Sequence, residues 1–239
     1  MPSLKILNDF LGIWDNAQKP MLKEKRWKNF PAYGQTLLEH ANSFPLVGRW
    51  VMSVAARPMD TLLFTDCLLL HDHGEPLSGG DEDADSKTKD KDLREWVAFS
   101  SLIRELPPTL RQQWMRAFSL QYVRKSMWQD LPASGFALVT ELRQTHSYEA
   151  ALFDFSERLD YLCSAYKGFR RGVCNQKETM IEHTVGNQTM KLDALVDEFP
   201  ELGSLWTVEL KVALWNLSWH LKKRLSFGAS FFCVDRLLY

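Results

Sequence analysis

The sequence has few cysteines, no leader-like start and no long apolar run. Its four cysteines lie far apart and form no C-x-x-C pair, which favours a reduced, cytoplasmic protein. The first residues lack the basic-then-apolar pattern of a secretory signal. The longest apolar runs fall well short of the roughly 20 residues that a membrane-spanning helix needs. We therefore expect a soluble, cytoplasmic protein without a membrane partner.

An excess of charge of one sign is also lacking. The 29 basic and 30 acidic residues give a formal net charge of -1, which provides no overall attraction to a nucleic acid polymer or an anionic membrane. Any phosphate binding must therefore come from a local site, and small phosphorylated ligands remain candidates. Hydrophobic residues make up 45% of the 239 positions, enough for a full core, so disorder is not expected.

Strand signals are scarce, because alternating runs of Val, Ile and Thr are almost absent. Apolar residues instead recur at spacings of three and four, which predicts an all-α fold. Asp60 or Thr61 can cap a buried helix that ends near Leu70. Pro45 is expected to kink or interrupt a second helix, one turn after His40.

Two segments leave alternatives open. Residues 78–92 are charged, begin with glycines and have no apolar anchor, which is typical of a mobile loop. Their lysines, Lys87, Lys89 and Lys91, are expected to be solvated or, if the loop closes, to contact a polyphosphate tail. Near the end of the chain, Trp206, Trp215 and Trp219 lie on a helical pattern and fit either core packing or a subunit interface.

The helix that ends at Leu70 is followed by the sequence His-Asp-His-Gly-Glu over residues 71–75. Imidazoles and carboxylates placed side by side at the end of an apolar helix must have their desolvation compensated, and a divalent cation can do this. The alternative is a polar helix end at the surface. His40 lies on an earlier predicted helix, and Asp160 lies far downstream at the edge of an apolar stripe.

This order of residues resembles that of the HD-domain metal-dependent phosphohydrolases. The family pattern is a lone His, a His-Asp pair and a distant Asp, which correspond here to His40, His71, Asp72 and Asp160. The resemblance implies an all-α HD-domain helical bundle in which these four side chains bind one divalent metal ion. More narrowly, HDHGEPLSGG resembles the H-D-x-G-E-x-x-x-G-D segment of the 5'-deoxynucleotidase-like branch.

Further matches to this branch lie on both sides of that segment. Leu38-Glu39-His40 resembles its (A/L)-E-H helix start, Arg26-Trp27 lies where its substrate-contacting Arg-Trp does, and Arg158-Leu159-Asp160 falls where its last ligand lies. The resemblance covers roughly residues 20–170. It predicts an HD-type metal phosphohydrolase domain over residues 1–170, with residues 171–239 as a helical C-terminal extension packed on the same domain.

The resemblance also implies a role for each site residue. Two imidazoles and two carboxylates suit one divalent ion such as Mn, Co, Fe, Zn or Mg. Glu75 is placed to orient or deprotonate the attacking water, and Arg26 can grip phosphate oxygens beside Trp27. The family has an Asp directly after the loop glycine, whereas here Gly79 and Gly80 precede Asp81. A one-residue insertion either returns Asp81 to a catalytic position or leaves it in solvent.

The predicted function is hydrolysis of a nucleotide phosphate ester, most simply a nucleoside 5'-monophosphate. A deoxynucleoside triphosphate triphosphohydrolase is one alternative. A domain that binds a nucleotide or a partner without hydrolysing it is another. The expected partner is a small-molecule nucleotide and not a nucleic acid polymer, and the family resemblance also suggests a homodimer.

Overall fold

The computed structural model describes residues 2–79, 88, 90–125, 129–174 and 178–226. In these ranges the chain forms nine α-helices and no strand, which confirms the predicted all-α class. The helices are α1 (Pro2–Lys23), α2 (Leu37–Met52), α3 (Thr61–Leu70), α4 (Lys91–Leu102), α5 (Pro108–Leu120), α6 (Ala133–Thr145), α7 (Ser147–Arg170), α8 (Met180–Glu198) and α9 (Val208–Ser226). None of these helices is long and apolar enough to cross a membrane.

Helix α2 is not interrupted at Pro45, because it continues through this residue to Met52. Proline removes one backbone N–H donor from the helix, but the buried face of α2 holds both halves in register against the core. The helix also starts firmly, since Thr36 and Glu39 form a reciprocal capping box. Farther along, Gly48 leaves room for Leu68 of α3, whose side chain a Cβ would overlap.

Helix α3 begins as predicted and delivers its last residues into the interior. The Asp60 side chain accepts a hydrogen bond of 2.9 Å from the backbone N–H of Leu63, so Asp60 is the N-cap. Phe64, Cys67 and Leu68 are buried, and α3 packs against α2, α5 and α7. His71 and Asp72 therefore follow a helix that is fixed on three sides.

The 24-residue helix α7 runs through the centre of the fold and contacts α2, α3, α6 and α8. A single hydrophobic cluster joins Phe44 of α2 and Phe155 of α7 to Ile181 of α8 and Leu214 of α9. The expected domain boundary at residue 170 coincides with the end of α7. Helix α8 nevertheless packs back along α7, so residues on both sides of that boundary contribute to the same core.

The three C-terminal tryptophans have different environments. Trp206 is buried, and its indole N–H donates a 2.8 Å hydrogen bond to Asp193. Trp215 and Trp219 are 49% and 60% exposed. Core packing is thus the correct interpretation for Trp206 and the wrong one for the other two. The reason is that α9 buries its leucine face, which includes Leu214, and leaves its tryptophan face outward.

Candidate metal centre

Four separate segments bring polar side chains to one buried place in the fold. Helix α2 contributes His40, the end of α3 contributes His71 and Asp72, and α7 contributes Asp160. The fourth segment, ahead of α2, contributes Arg26, whose main-chain N–H donates to the carbonyl of Gln35. The relative exposure of His40 is 0%, that of His71 and Asp160 is 4%, and that of Arg26 is 7%. The structure therefore brings the four predicted ligands into one cluster, in which His40, His71 and Asp72 offer ligand atoms that all lie within 4.8 Å of one another.

Three potential ligand atoms converge at the centre of this cluster. His40 Nε2 lies 3.3 Å from His71 Nε2 and 3.2 Å from Asp72 Oδ2. His71 Nε2 in turn lies 3.1 Å from Asp72 Oδ1. In the part of the chain that the structure describes, the buried Asp72 Oδ2 has no hydrogen-bond partner. A buried acceptor left without a donor is costly, and a cation at this point would satisfy it.

The tautomer of His71 suits a metal ligand. Its Nδ1 lies 3.1 Å from the carbonyl oxygen of Leu68, which can only accept a hydrogen bond. Nδ1 therefore carries the proton, and the lone pair of Nε2 in the neutral ring faces His40 and Asp72. The main chain at His71 is also fixed, because the side chain of Gln121 donates a 2.9 Å hydrogen bond to its carbonyl.

The outer nitrogen of His40, Nδ1, faces a carboxylate and a guanidinium. Its Nδ1 lies 3.3 Å from Asp160 Oδ2 and 2.5 Å from Arg26 Nη1, and the same Arg26 atom lies 3.2 Å from Asp160 Oδ2. When Arg26 donates to Nδ1, the ring proton sits on Nε2. When Nδ1–H donates to Asp160, Nε2 has the lone pair that a metal needs. Asp160 thus lies beside the predicted ligands on the outer side of His40.

The electrostatic environment keeps the cluster ready for a cation. Burial, reinforced by the positive charge of Arg26, lowers the pKa of His40, so this ring is neutral at neutral pH. Burial raises the pKa of Asp160, but His40 and then Arg26 lower it more, and the net pKa is below its ordinary value. For Asp72, burial is likewise outweighed by His71, and the pKa is well below its ordinary value. Burial lowers the pKa of His71, but Asp72 raises it more, and the net pKa is above its ordinary value. Because neutral imidazole and ionised carboxylates are the forms that bind divalent ions, a metal ion here would displace a proton from His71.

Glu75 lies on the turn that follows, in the 3-10 segment Glu75–Leu77. It is buried, and its Oε1 lies 2.9 Å from the ammonium of Lys91, which lies 2.8 Å from Glu95 Oε1. The prediction that Lys91 belongs to a solvated loop is therefore wrong. The sequence signal that could have placed it is the i,i+4 spacing of Lys91 and Glu95 just ahead of the core residue Trp96.

The remaining predicted loop residues are not all covered by the structure. Asp81, Lys87 and Lys89 lie outside the described residues. The last described residue before this gap is Gly79, whose φ of 120° lies in a region that favours glycine.

Trp27 has an unusual backbone for a bulky residue, with a φ of 61°. A non-glycine side chain in this left-handed region costs roughly 1–2 kcal/mol and is a feature that clusters at functional sites. Its ring packs edge-on against Tyr161, Tyr33 and Phe30, at centroid distances of 5.6, 6.3 and 6.4 Å. Its buried Nε1 has no hydrogen-bond partner among the described residues, so this donor is available to a ligand.

Sequence reasoning missed the aromatic residue that lines the basic side of this cluster. The guanidinium of Arg26 lies 5.1 Å from the ring centroid of Tyr161, the residue directly after Asp160. Burial alone would lower the pKa of Arg26, but Tyr161 and the nearby carboxylates of Asp72, Asp160 and Glu75 raise it above its ordinary value. Position after a predicted ligand was the one signal that could have indicated Tyr161.

Comparison of the chain with models of known protein families, with curated proteins and with solved structures gave no match. The functional argument therefore depends on the residues and on the geometry of this cluster.

Proposed function

We propose that this protein is an HD-type, metal-dependent phosphohydrolase that hydrolyses a nucleotide phosphate ester, most simply a nucleoside 5'-monophosphate. One observation carries the proposal: His40 Nε2, His71 Nε2 and the Asp72 carboxylate converge within 4.8 Å of one another, next to the buried Arg26. Donors for a cation and a cationic group for a phosphate thus occupy one place.

The donors fit a single divalent ion, for which Mn, Co, Fe, Zn and Mg are the candidates. His40, His71 and Asp72 would hold it, with Asp160 either as a fourth ligand or as the acceptor that orients His40. When bound, such an ion supplies polarisation of a phosphoryl oxygen and a lower pKa for water.

The other side chains supply what the reaction needs around the ion. Arg26 presents a guanidinium, whose planar array of donors suits two phosphate oxygens at once. The unpartnered indole N–H of Trp27 offers a directional donor to the same substrate. Glu75 is the residue that orients the attacking water or takes its proton, since it lies on the same turn as Asp72, whose carbonyl accepts a 3.1 Å hydrogen bond from the Glu75 main-chain N–H.

The test is phosphate release by the full chain, stripped of metal and reloaded with Mn²⁺ or Co²⁺, over a panel of nucleoside mono- and triphosphates. We expect turnover that depends on the metal and is lost in Asp72→Asn. The matched control is Asp193→Asn, because Asp193 pairs with Lys211 and Trp206 on α8 and α9, away from the cluster. Absence of turnover across the whole panel with every metal would refute the proposal.

The products separate the remaining alternatives. Inorganic phosphate from a monophosphate supports the nucleotidase, whereas intact triphosphate from a deoxynucleoside triphosphate supports a triphosphohydrolase. A metal-loaded protein that binds nucleotides and leaves them unchanged would be a binding domain.

The proposal includes a cytoplasmic, homodimeric protein, as expected from the sequence. The outward face of α9 carries the exposed side chains Val212 and Trp215, which is the kind of surface that subunits bury. Sedimentation velocity of the wild type and of Trp215→Glu measures this directly, and a monomer at all concentrations would remove the dimer from the proposal.

A further inference from the structure

Helix α4 supports the turn that carries Glu75. Gly74 lies so close to α4 that an added Cβ would overlap the carbonyl oxygen of Glu95 and would lie 3.0 Å from its carbonyl carbon. Four residues farther along the turn, the carbonyl of Ser78 accepts a hydrogen bond from the guanidinium of Arg94. The turn therefore touches α4 on both sides of Glu75.

Between these two contacts lies a buried ion triad. The ammonium of Lys91 is 2.9 Å from Glu75 Oε1 and 2.8 Å from Glu95 Oε1. The side chains of all three residues are no more than 10% exposed. A buried ammonium is stable only when it is paired, and the two carboxylates raise the pKa of Lys91 above its ordinary value despite the opposing effect of burial. Lys91 is thus charged and held in place by groups on both sides.

The two carboxylates of the triad have different relations to Lys91. Glu95 is on the same helix as Lys91, at i,i+4, and therefore fixes where the ammonium lies. Glu75 is on a different element and meets that ammonium through one oxygen, Oε1. Because Oε1 is paired with this fixed ammonium, Lys91 restrains the position of the Glu75 carboxylate.

We propose that Lys91 is a positioning residue for the reaction, which holds the Glu75 carboxylate in the orientation it needs toward the attacking water. The proposal rests on the proposed function, since it gives Glu75 a substrate-side role. It assigns Lys91 no contact with the metal ion or with the phosphate. It also predicts that the residue acts on the rate of the chemical step and leaves the binding of metal and nucleotide largely unchanged.

The test compares Lys91→Ala and Lys91→Met with the wild-type chain, each loaded with Mn²⁺. We expect kcat to fall about 100-fold, as for a reacting group displaced by about 1 Å. KM and the affinity for Mn²⁺, measured by calorimetry, should change by less than about threefold, because uniform binding is not affected. The matched control is Lys211→Met, since Lys211 also forms a 2.8 Å ion pair, but with Asp193 on α8.

Chemical rescue distinguishes positioning from a structural role. Ethylammonium can enter the space left in Lys91→Ala and pair with Glu75, so it should restore at least about tenfold in kcat, as expected when a group that positions a general base is returned. It should have no effect on wild type or on Lys211→Met. A Lys91→Ala protein that keeps wild-type kcat, or one that loses Mn²⁺ affinity together with kcat and is not rescued, would overturn the proposal.

A double-mutant cycle covers the case in which Lys91→Ala does not fold. Lys91→Met, Glu75→Gln and the combined variant are compared in the metal-free state by urea unfolding. A coupling between the two sites is expected for a buried pair, and its absence would show that the contact does not hold Glu75. If the wild type itself has no turnover while the coupling is present, the proposed function has failed, and Lys91 has no reaction in which to position Glu75.

Discussion

The close approach of Gly74 to α4 yields the most direct prediction of this structure. The backbone at Gly74 has a φ of -78°, which any residue can adopt, so alanine meets no conformational barrier there. Its methyl group, however, would overlap the Glu95 carbonyl oxygen and would lie 3.1 Å from Phe118 Cζ. Gly74→Ala therefore isolates the effect of moving the turn that carries Glu75 away from α4.

The size of that movement follows from the contacts. Carbon atoms pack at about 3.5–4.0 Å, so distances of 3.0 and 3.1 Å to the Glu95 carbonyl carbon and to Phe118 require a shift of at least half an ångström. Overpacking of this kind costs about 1–3 kcal/mol, partly offset by about 0.4–1 kcal/mol from the less flexible unfolded chain. The Glu95 carbonyl oxygen is nearer still, so the shift approaches about 1 Å. Because it carries Glu75 with it, we expect kcat to fall by roughly 100-fold.

The assay measures urea unfolding and phosphate release on the same preparation. Gly186→Ala on α8 is the control, since a Cβ there meets nothing within 4 Å and alanine stabilises a helix by about 1 kcal/mol relative to glycine. We expect Gly186→Ala to be more stable and equally active, and Gly74→Ala to be less stable and nearly inactive. A Gly74→Ala protein with wild-type stability and kcat would refute the reasoning.

Three further predictions concern the cluster itself. Zn²⁺ binding should select the Nδ1–H tautomer of His40, which donates to Asp160, and ¹⁵N chemical shifts of the ring would show it; a proton remaining on Nε2 would argue against metal at this atom. Trp27→Phe should raise KM about fivefold, the value of one hydrogen bond of about 1 kcal/mol, because Nε1 has no partner among the described residues; the urea midpoint should also fall, because the smaller ring loses part of the packing against Tyr161 and Tyr33. In metal-free protein, the lowered pKa of Asp160 stabilises the fold at pH values above the ordinary 3.8, and this stability is lost as pH falls through the folded pKa. Asp160→Asn lacks this titrating group. Urea titrations should therefore show a smaller loss of stability for Asp160→Asn than for the wild type in that acid range.

The helices could be predicted where local chemistry is strong. The capping side chain of Asp60 and the apolar residues after it are sufficient to place α3, and spacing alone was enough to place His71 and Asp72 at its end. Pro45 does not interrupt α2, although the loss of a backbone donor favours a break. The helix is held by packing of a buried face that includes Phe44. Tertiary contacts outweigh local propensity at that position.

The environment of Lys91 could not be predicted from the sequence for a related reason. The residues around it are so strongly charged that the segment reads as solvated, although the helix that Lys91 starts is anchored by Trp96 and Phe99. That Lys91 turns inward depends on where Glu75 lies, and Glu75 is sixteen residues away on a different element. The orientation of Asp160 is similarly a tertiary property, because it depends on which nitrogen of His40 faces α7.

The buried charges around the turn that carries Glu75 link the His40–His71–Asp72 cluster with the Lys91 triad. Two basic side chains lie among four acidic ones in the interior around the turn; the basic residues are Arg26 and Lys91, and the acidic ones are Asp72, Asp160, Glu75 and Glu95. Counted without histidine protons, the region has two negative charges in excess. Two groups can reduce this excess by taking up a proton: His71, whose pKa burial lowers but Asp72 raises above its ordinary value, and Glu95, whose pKa is raised by burial against the opposing effect of Lys91. A divalent ion at the His40–His71–Asp72 position would cancel the same excess without either proton. The buried charges of the chain therefore favour a dication at this position for the same electrostatic reason that its donor atoms do.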